Sequence, residues 1–261
     1  MFTDALAEFR SDWLLAGKAE TTIDFYVNLL HVLGAENPSP SLHAVRTWVG
    51  AAATVPIRRK RAQAVRAFGR WSESIGDHDF PWWRNLPVPT EVEKPQPTAT
   101  QADFDTGLRV LGSSRDRAVL SVLWGCGLRR SEVANLLVND VSVADGVLVV
   151  RSSKTGKPRM VPMPPTTVRL VRRHLRGWSK SSLFALTTNG IRLMLRRNSL
   201  LPAHAWRRGW AVHSLRKGIS EVSVRSAAGW SSGAMVARYT RAMSAELAQD
   251  EFRRSWGKAG L

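Results

Sequence analysis

The chain has one cysteine, Cys126, among its 261 residues, which excludes both an internal disulfide and a cysteine-cluster zinc site. No apolar run approaches the ~18 residues of a membrane span. The N-terminal MFTDALAEFRSDW places acids where a signal peptide has a basic start. These absences predict a soluble protein of the cytoplasm with no membrane partner. Tyrosine is scarce too, occurring only at Tyr26 and Tyr239. Acidic residues are missing most unevenly: residues 1–95 hold 11 Asp/Glu against 11 Lys/Arg, whereas residues 96–261 hold 10 against 27.

The second stretch therefore carries the whole formal net charge of +17. Of the 38 basic residues, 30 are Arg and 8 are Lys. A GC-rich genome can favour Arg over Lys, but it does not strip acids from one part of a chain. A polyanion, and nucleic acid in particular, is the expected partner. A hydrophobic fraction of 44% suits a folded core, and the length suits about two domains.

The division is expected in FPWWRNLPVPTEVEKPQPTATQADF, where prolines at 81, 87, 89, 95 and 97 remove backbone donors and preclude a continuous helix. The expected layout is a helical domain over 1–90, a linker over 91–98, and a second domain over 99–261 that ends in a tail segment, 244–261. In the first part, Ala62, Val65, Phe68, Trp71 and Ile75 recur at helical spacing. Arg59, Arg66 and Arg70 form another stripe, with no acid in residues 58–71, and are candidates to track phosphates. Tyr26 lies on an apolar helical face and reads as core, as does Cys126.

In the second part, Val147–Val150 and Met160–Met163 flank a Ser-Lys-Thr-Gly turn and read as a hairpin. RDRAVLSVLWGCGLRRSEVANLL, TTVRLVRRHL and SLRKGISEVSVRSA read as helical, with Ser131 a candidate cap. The fold class expected is mainly α with a small β-hairpin in the second domain. Near the end, Ala248, Phe252 and Trp256 recur four apart, an apolar stripe that needs cover.

Tyr239 lies between Arg238 and Arg241 in GWSSGAMVARYTRA. A phenol with a pKa of roughly 10 attacks a phosphodiester only with a proton acceptor or cations nearby. Such a transfer needs its phosphate charge neutralised, for which guanidiniums with paired donors are suited, and its leaving oxygen protonated. Candidates stand in four segments: CGLRRSE at 126–132, SSKTGKPRMVPM at 152–163, VHSLRKG at 212–218 and AGWSSGAMVARY at 228–239.

These segments, in this order, resemble the active-site boxes of the tyrosine recombinase (phage integrase) family: Gly-Leu-Arg-x-Ser-Glu, a hairpin lysine, His-x-Leu-Arg, and Gly-His/Trp-Ser with the tyrosine nine residues after that His or Trp. Trp230 stands nine residues before Tyr239. The resemblance covers most of residues 100–242 and implies a two-domain DNA clamp with these roles. Arg129 and Arg216 hold the scissile phosphate, Lys154 protonates the departing 5′ oxygen, and His213 accepts the tyrosine proton or bonds the phosphate. Trp230 donates a hydrogen bond and, having only an N–H, cannot serve as a base. Glu132 braces the arginine. Lys157 competes with Lys154, while Arg130, Lys217, Arg238 and Arg241 are read as DNA contacts beside the catalytic set.

The resemblance further implies a 3′-phosphotyrosyl intermediate, no metal or other cofactor, and a homotetramer on two duplexes passing through a Holliday junction. The partners would be double-stranded DNA with attachment-type core sites and, for direction, an accessory factor. Because the helical domain begins almost at Met1, no additional arm-binding domain is expected. The element served is expected to be a phage or other mobile element in a bacterial host. The tail would dock on a neighbouring protomer. Two other readings remain open at this point: a type IB topoisomerase, which shares the chemistry but acts on one duplex, and a non-catalytic architectural DNA binder.

Overall fold

The computed structural model describes residues 2–76, 81–90, 96–151, 158–240, 248–249, 252–253 and 255–256. The chain divides into two compact units, Met1–Lys94 and Pro95–Leu261. Among the described residues no helix is long and apolar enough to cross a membrane.

The first unit is a four-helix assembly: α1 (Phe2–Leu15), α2 (Glu20–Glu36), α3 (Leu42–Gly50) and α4 (Val55–Ser74). Its core is aromatic. Phe68 of α4 meets Phe2 and Phe9 edge to face at ring-centroid distances of 5.0 and 5.6 Å, and Trp71 meets Phe9 at 5.4 Å. Such pairs add to the burial of the rings themselves. The Trp71 indole N–H, which burial would otherwise leave unsatisfied, donates to Asp12 Oδ2 at 2.8 Å. Ala62, Val65, Phe68 and Trp71 are buried as their spacing predicts. Ile75 is not: it caps the end of α4, where the helical backbone has stopped, and is 50% exposed. Tyr26 is half-buried against this core, its ring 5.8 Å from that of Trp13.

The second unit is built around α6 (Ser114–Gly125), after α5 (Gln101–Val110). Residues 118–124 of α6 are all buried, so beyond its polar first turn this helix is covered on every side. It is followed by the short α7 (Arg130–Ala134) and a three-stranded antiparallel sheet of β1 (Val141–Ser142), β2 (Val147–Val150) and β3 (Arg159–Pro162) in the order β1-β2-β3. The pairing Leu148↔Val161 and Val150↔Arg159 sets the register, with Leu148, Val150 and Val161 on the buried face. β2 falls where the sequence places it; β3 starts one residue earlier. β1 was not anticipated, since two residues carry no periodicity. The Ser-Lys-Thr-Gly turn, with Lys154 and Lys157, lies outside the described residues.

The helices that follow in this unit are α8 (Pro165–Leu175), α9 (Thr188–Arg197), α10 (Ala203–Arg216), α11 (Glu221–Ala228) and α12 (Gly233–Thr240). The segment read as one helix over 214–227 is two, because the chain turns at Gly218 and Ser220 caps α11 through the Ser223 N–H. This second unit is therefore mainly helical with one small sheet.

Candidate active site

The site begins at a glycine. Gly127 has φ +61°, and a Cβ placed there would lie 2.2 Å from atoms of the Trp210 ring. The turn it permits ends α6, lets Leu128 plug the core, and delivers Arg129 to the N-cap of α7. Ser131, the candidate cap, lies inside the first turn; Glu132 does the capping instead. Its Oε2 accepts the Arg129 backbone N–H at 2.8 Å, and its Oε1 accepts Arg129 Nη1 at 2.9 Å.

Glu132 has a second cationic partner. Arg159, which opens β3, donates Nη1 to Oε1 at 3.1 Å and Nη2 to Oε2 at 2.8 Å. The Glu132 side chain is only 2% exposed. Burial pushes its carboxyl upward, but the bonds from Arg159 and Arg129 and the Arg159 charge outweigh that and hold it below the usual carboxylate range. The remaining Arg159 group, Nε–H, donates to the Ala227 carbonyl at 2.7 Å. That carbonyl is in the last turn of α11, where helix geometry leaves acceptors to be satisfied from outside.

Arg207, on α10 and 2% exposed, ties the same two segments. Its Nη1 donates to the Gly127 carbonyl at 2.5 Å and its Nη2 to the Ala228 carbonyl at 2.8 Å, while its guanidinium carbon lies 5.0 Å from the Trp230 ring centroid. Two guanidiniums thus bind the loop carrying Arg129 to the end of α11, after which Gly229 turns the chain in the left-handed conformation and leads into Trp230. Trp230 is buried with Trp210, Val224 and Val236. Val236 anchors α12, whose backbone continues through residues 238 and 239. The side chains of Arg238 and Tyr239, and all of Arg241, lie outside what is described.

α10 supplies the third motif segment. His213 is half-buried, its ring 5.1 Å from that of Trp124. Burial, then the charges of Lys217 and Arg216, hold its imidazole below its ordinary value. Arg216, the last residue of α10, and Lys217 are exposed. His204 at the other end of the helix is lowered as well, by burial and by Arg208, Arg207, Arg130 and Arg129, a sign of the positive field around this loop. A cavity of about 730 Å³ opens beside His213, with Trp124, Met160, Trp210 and Val222 in its wall.

Of the expected residues, the structure places Arg129, Arg130, His213, Arg216, Lys217 and Trp230 in the second unit, on segments that meet through Arg159, Arg207 and α10. Cys126 is buried as expected, and its thiol is pushed well above its ordinary value by that burial. Arg59, Arg66 and Arg70 belong to the first unit. Arg59 Nη1 donates to the Pro89 carbonyl at 3.1 Å, and the Arg66 and Arg70 guanidiniums stand 5.9 and 6.0 Å from the Trp83 ring, the outer limit for a cation–π contact.

Arg159 and Arg207 were not singled out in the sequence, although each carries a signal. Arg159 shares strand parity with the buried Val161. Arg207 shares the helical stripe of Ala211 and Ser214, both buried.

Comparison with known proteins identifies similar sequences and folds. The model of the phage integrase family matches residues 110–246. Tyrosine recombinase XerA of Pyrococcus horikoshii is 23% identical over 94% of this chain and 91% of its own length. Tyrosine recombinase XerC of Rhodospirillum centenum is 29% identical over 76% of this chain and 67% of its own. A crystal structure of a lambda integrase dimer bound to a COC′ core site superposes with a TM-score of 0.77 at 13% identity, covering 90% of this chain and 94% of that one. A crystal structure of XerA recombinase covers 97% and 98% with a TM-score of 0.56 at 20% identity.

Proposed function

Since this chain belongs to the phage integrase family and is a tyrosine site-specific recombinase, we propose that it cuts and rejoins double-stranded DNA with Tyr239 as the nucleophile. The Tyr239 oxygen attacks the scissile phosphorus, the bond to the 5′ oxygen breaks, and a 3′-phosphotyrosyl bond and a 5′-hydroxyl result. A 5′-hydroxyl from the partner duplex reverses the step, so the phosphodiester energy is conserved. The observation that carries this reading is that the buried Arg159 and Arg207 tie the Arg129 loop to the end of α11, which leads into the Trp230 turn.

Arg129 and Arg216 neutralise the non-bridging oxygens, the dominant requirement of phosphoryl transfer. Lys154 protonates the leaving oxygen, and Trp230 donates from its indole. Arg130, Lys217, Arg238 and Arg241 bind flanking phosphates. The helical domain, 1–90, binds the core site through Arg59, Arg66 and Arg70. Four protomers act on two duplexes through a Holliday junction, in the service of a phage or other mobile element. The tail helps assemble them: the Phe252 and Trp256 rings meet at 5.1 Å, tilted to each other, yet remain 55% and 64% exposed. Deleting residues 244–261 is expected to abolish tetramer formation on DNA while leaving binding to a single site; unchanged assembly in sedimentation would remove the tail from this role.

The deciding experiment is a nicked suicide duplex bearing the candidate core site, incubated with the protein in EDTA. A covalent protein–DNA band supports the reading. Relaxation of supercoiled DNA lacking any such site would instead favour a topoisomerase, and tight binding with no band an architectural protein.

His213 acts as proton acceptor, which requires the neutral imidazole. Its pKa is lowered, so the neutral form persists as the medium is acidified past the ordinary value of roughly 6.5. Cleavage rate is expected to fall only below that value. His213→Gln should flatten this limb of the pH profile; an unchanged limb would assign the proton to another group.

A further inference from the structure

We propose that Arg159 is a positioning residue for the recombination chemistry: it acts through Glu132 to keep Arg129 both aimed and net cationic. This rests on the assignment of Arg129 to the scissile phosphate.

Arg159 itself is not a phosphate ligand. Its side chain is 9% exposed, and its Nε, Nη1 and Nη2 are each engaged, with Ala227 and Glu132. The clearance above it is tight as well. A Cβ on Gly229 would stand 3.2–3.3 Å from the Arg159 Cδ, Nε and Cζ atoms, so the turn preceding Trp230 lies directly on its guanidinium.

What Arg159 controls is the state of Glu132. Each Glu132 oxygen accepts two bonds, one from Arg129 and one from Arg159, which fills the carboxylate's four lone-pair sites. The three side chains together carry one net positive charge. The Arg129 side chain remains 23% exposed, so that surplus charge can face an incoming phosphate. Without Arg159, the buried carboxylate would be neutralised by Arg129 alone. The pair would then be net neutral, and Arg129 would turn its second nitrogen toward Glu132 to saturate the vacant sites. The phosphate clamp would lose charge and aim together, with no residue that touches DNA having changed. Arg159 also fixes the end of α11 through Ala227, so the same side chain links the position of Arg129 to that of the Trp230 turn.

The test is single-turnover cleavage of the nicked duplex by the full chain, with either a natural phosphodiester or a neutral methylphosphonate at the scissile position. Arg159→Gln is expected to slow cleavage of the natural substrate about 10²-fold. Most of that deficit should vanish on the methylphosphonate, which has one negative charge fewer to neutralise. Arg159→Lys restores charge but not the bidentate fork and should recover about tenfold of the loss. The double variant Arg159→Gln/Glu132→Gln removes one charge of each sign, and should likewise cleave about tenfold faster than Arg159→Gln alone. If Arg159→Gln does not fold, the Lys and double variants, both with net charge restored, carry the comparison, and background cleavage by folded protein in both overturns the proposal. Equal losses on the two substrates would reduce Arg159 to a fold residue, and no loss would remove its role. A wild-type protein that forms no covalent complex would refute the recombinase reading itself, a result distinct from all of these.

Discussion

Tyr239→Phe is expected to eliminate the covalent protein–DNA complex, a loss of at least about 10³-fold in strand cleavage, while binding to the duplex stays near that of wild type. Phenylalanine keeps the ring volume and removes only the oxygen that would bond to phosphorus, so any loss is chemical. No other phenol can take over readily: Tyr26 belongs to the first unit and is half-buried against Trp13. Digestion of the trapped complex should map the DNA-linked residue to the peptide containing Tyr239. A band of undiminished strength in the variant would sink the assignment.

Gly127→Ala should damage the second unit in two ways at once, through backbone conformation and through a clash. The left-handed backbone at φ +61° costs an L-residue ~1–2 kcal/mol, and forcing a methyl against the Trp210 ring adds roughly another 1–3. About 3 kcal/mol in total corresponds to a drop of roughly 6–12 °C in Tm for a domain of this size. The consequence for chemistry would exceed that for stability. Trp210 meets Trp230 edge to face at 6.5 Å, and the Gly127 carbonyl is a partner of Arg207. Relief of the clash therefore moves the Arg129 loop, Arg207 or the tryptophan pair. Calorimetry with parallel cleavage assays checks both parts. A variant that melts and cleaves as wild type does would mean that this loop can relax without cost.

Much of the candidate site was readable before any coordinates, because its motif residues are local: Gly-Leu-Arg-x-Ser-Glu, His-Ser-Leu-Arg and the Trp230–Tyr239 interval each fit within a dozen positions. The core stripe of α4 was readable for the same reason, up to Ile75, where the helix ended one residue before the periodicity suggested. Elsewhere local pattern failed for identifiable causes. Gly218 interrupts a stretch whose spacing is helical on both sides. β1 is too short to have a period.

The sequence by itself determined the chemistry on offer and the class of partner: a phenol, guanidiniums, an imidazole and a large positive surplus are properties of composition and order. Only the tertiary structure decided which cations face outward and which are consumed inside. Arg159 bonds a carboxylate 27 residues away, and Arg207 a carbonyl 80 residues away. Arginine is by default a surface residue. Its burial is tolerable only where distant segments bring together enough acceptors to replace water, and that depends on the packing of the whole unit.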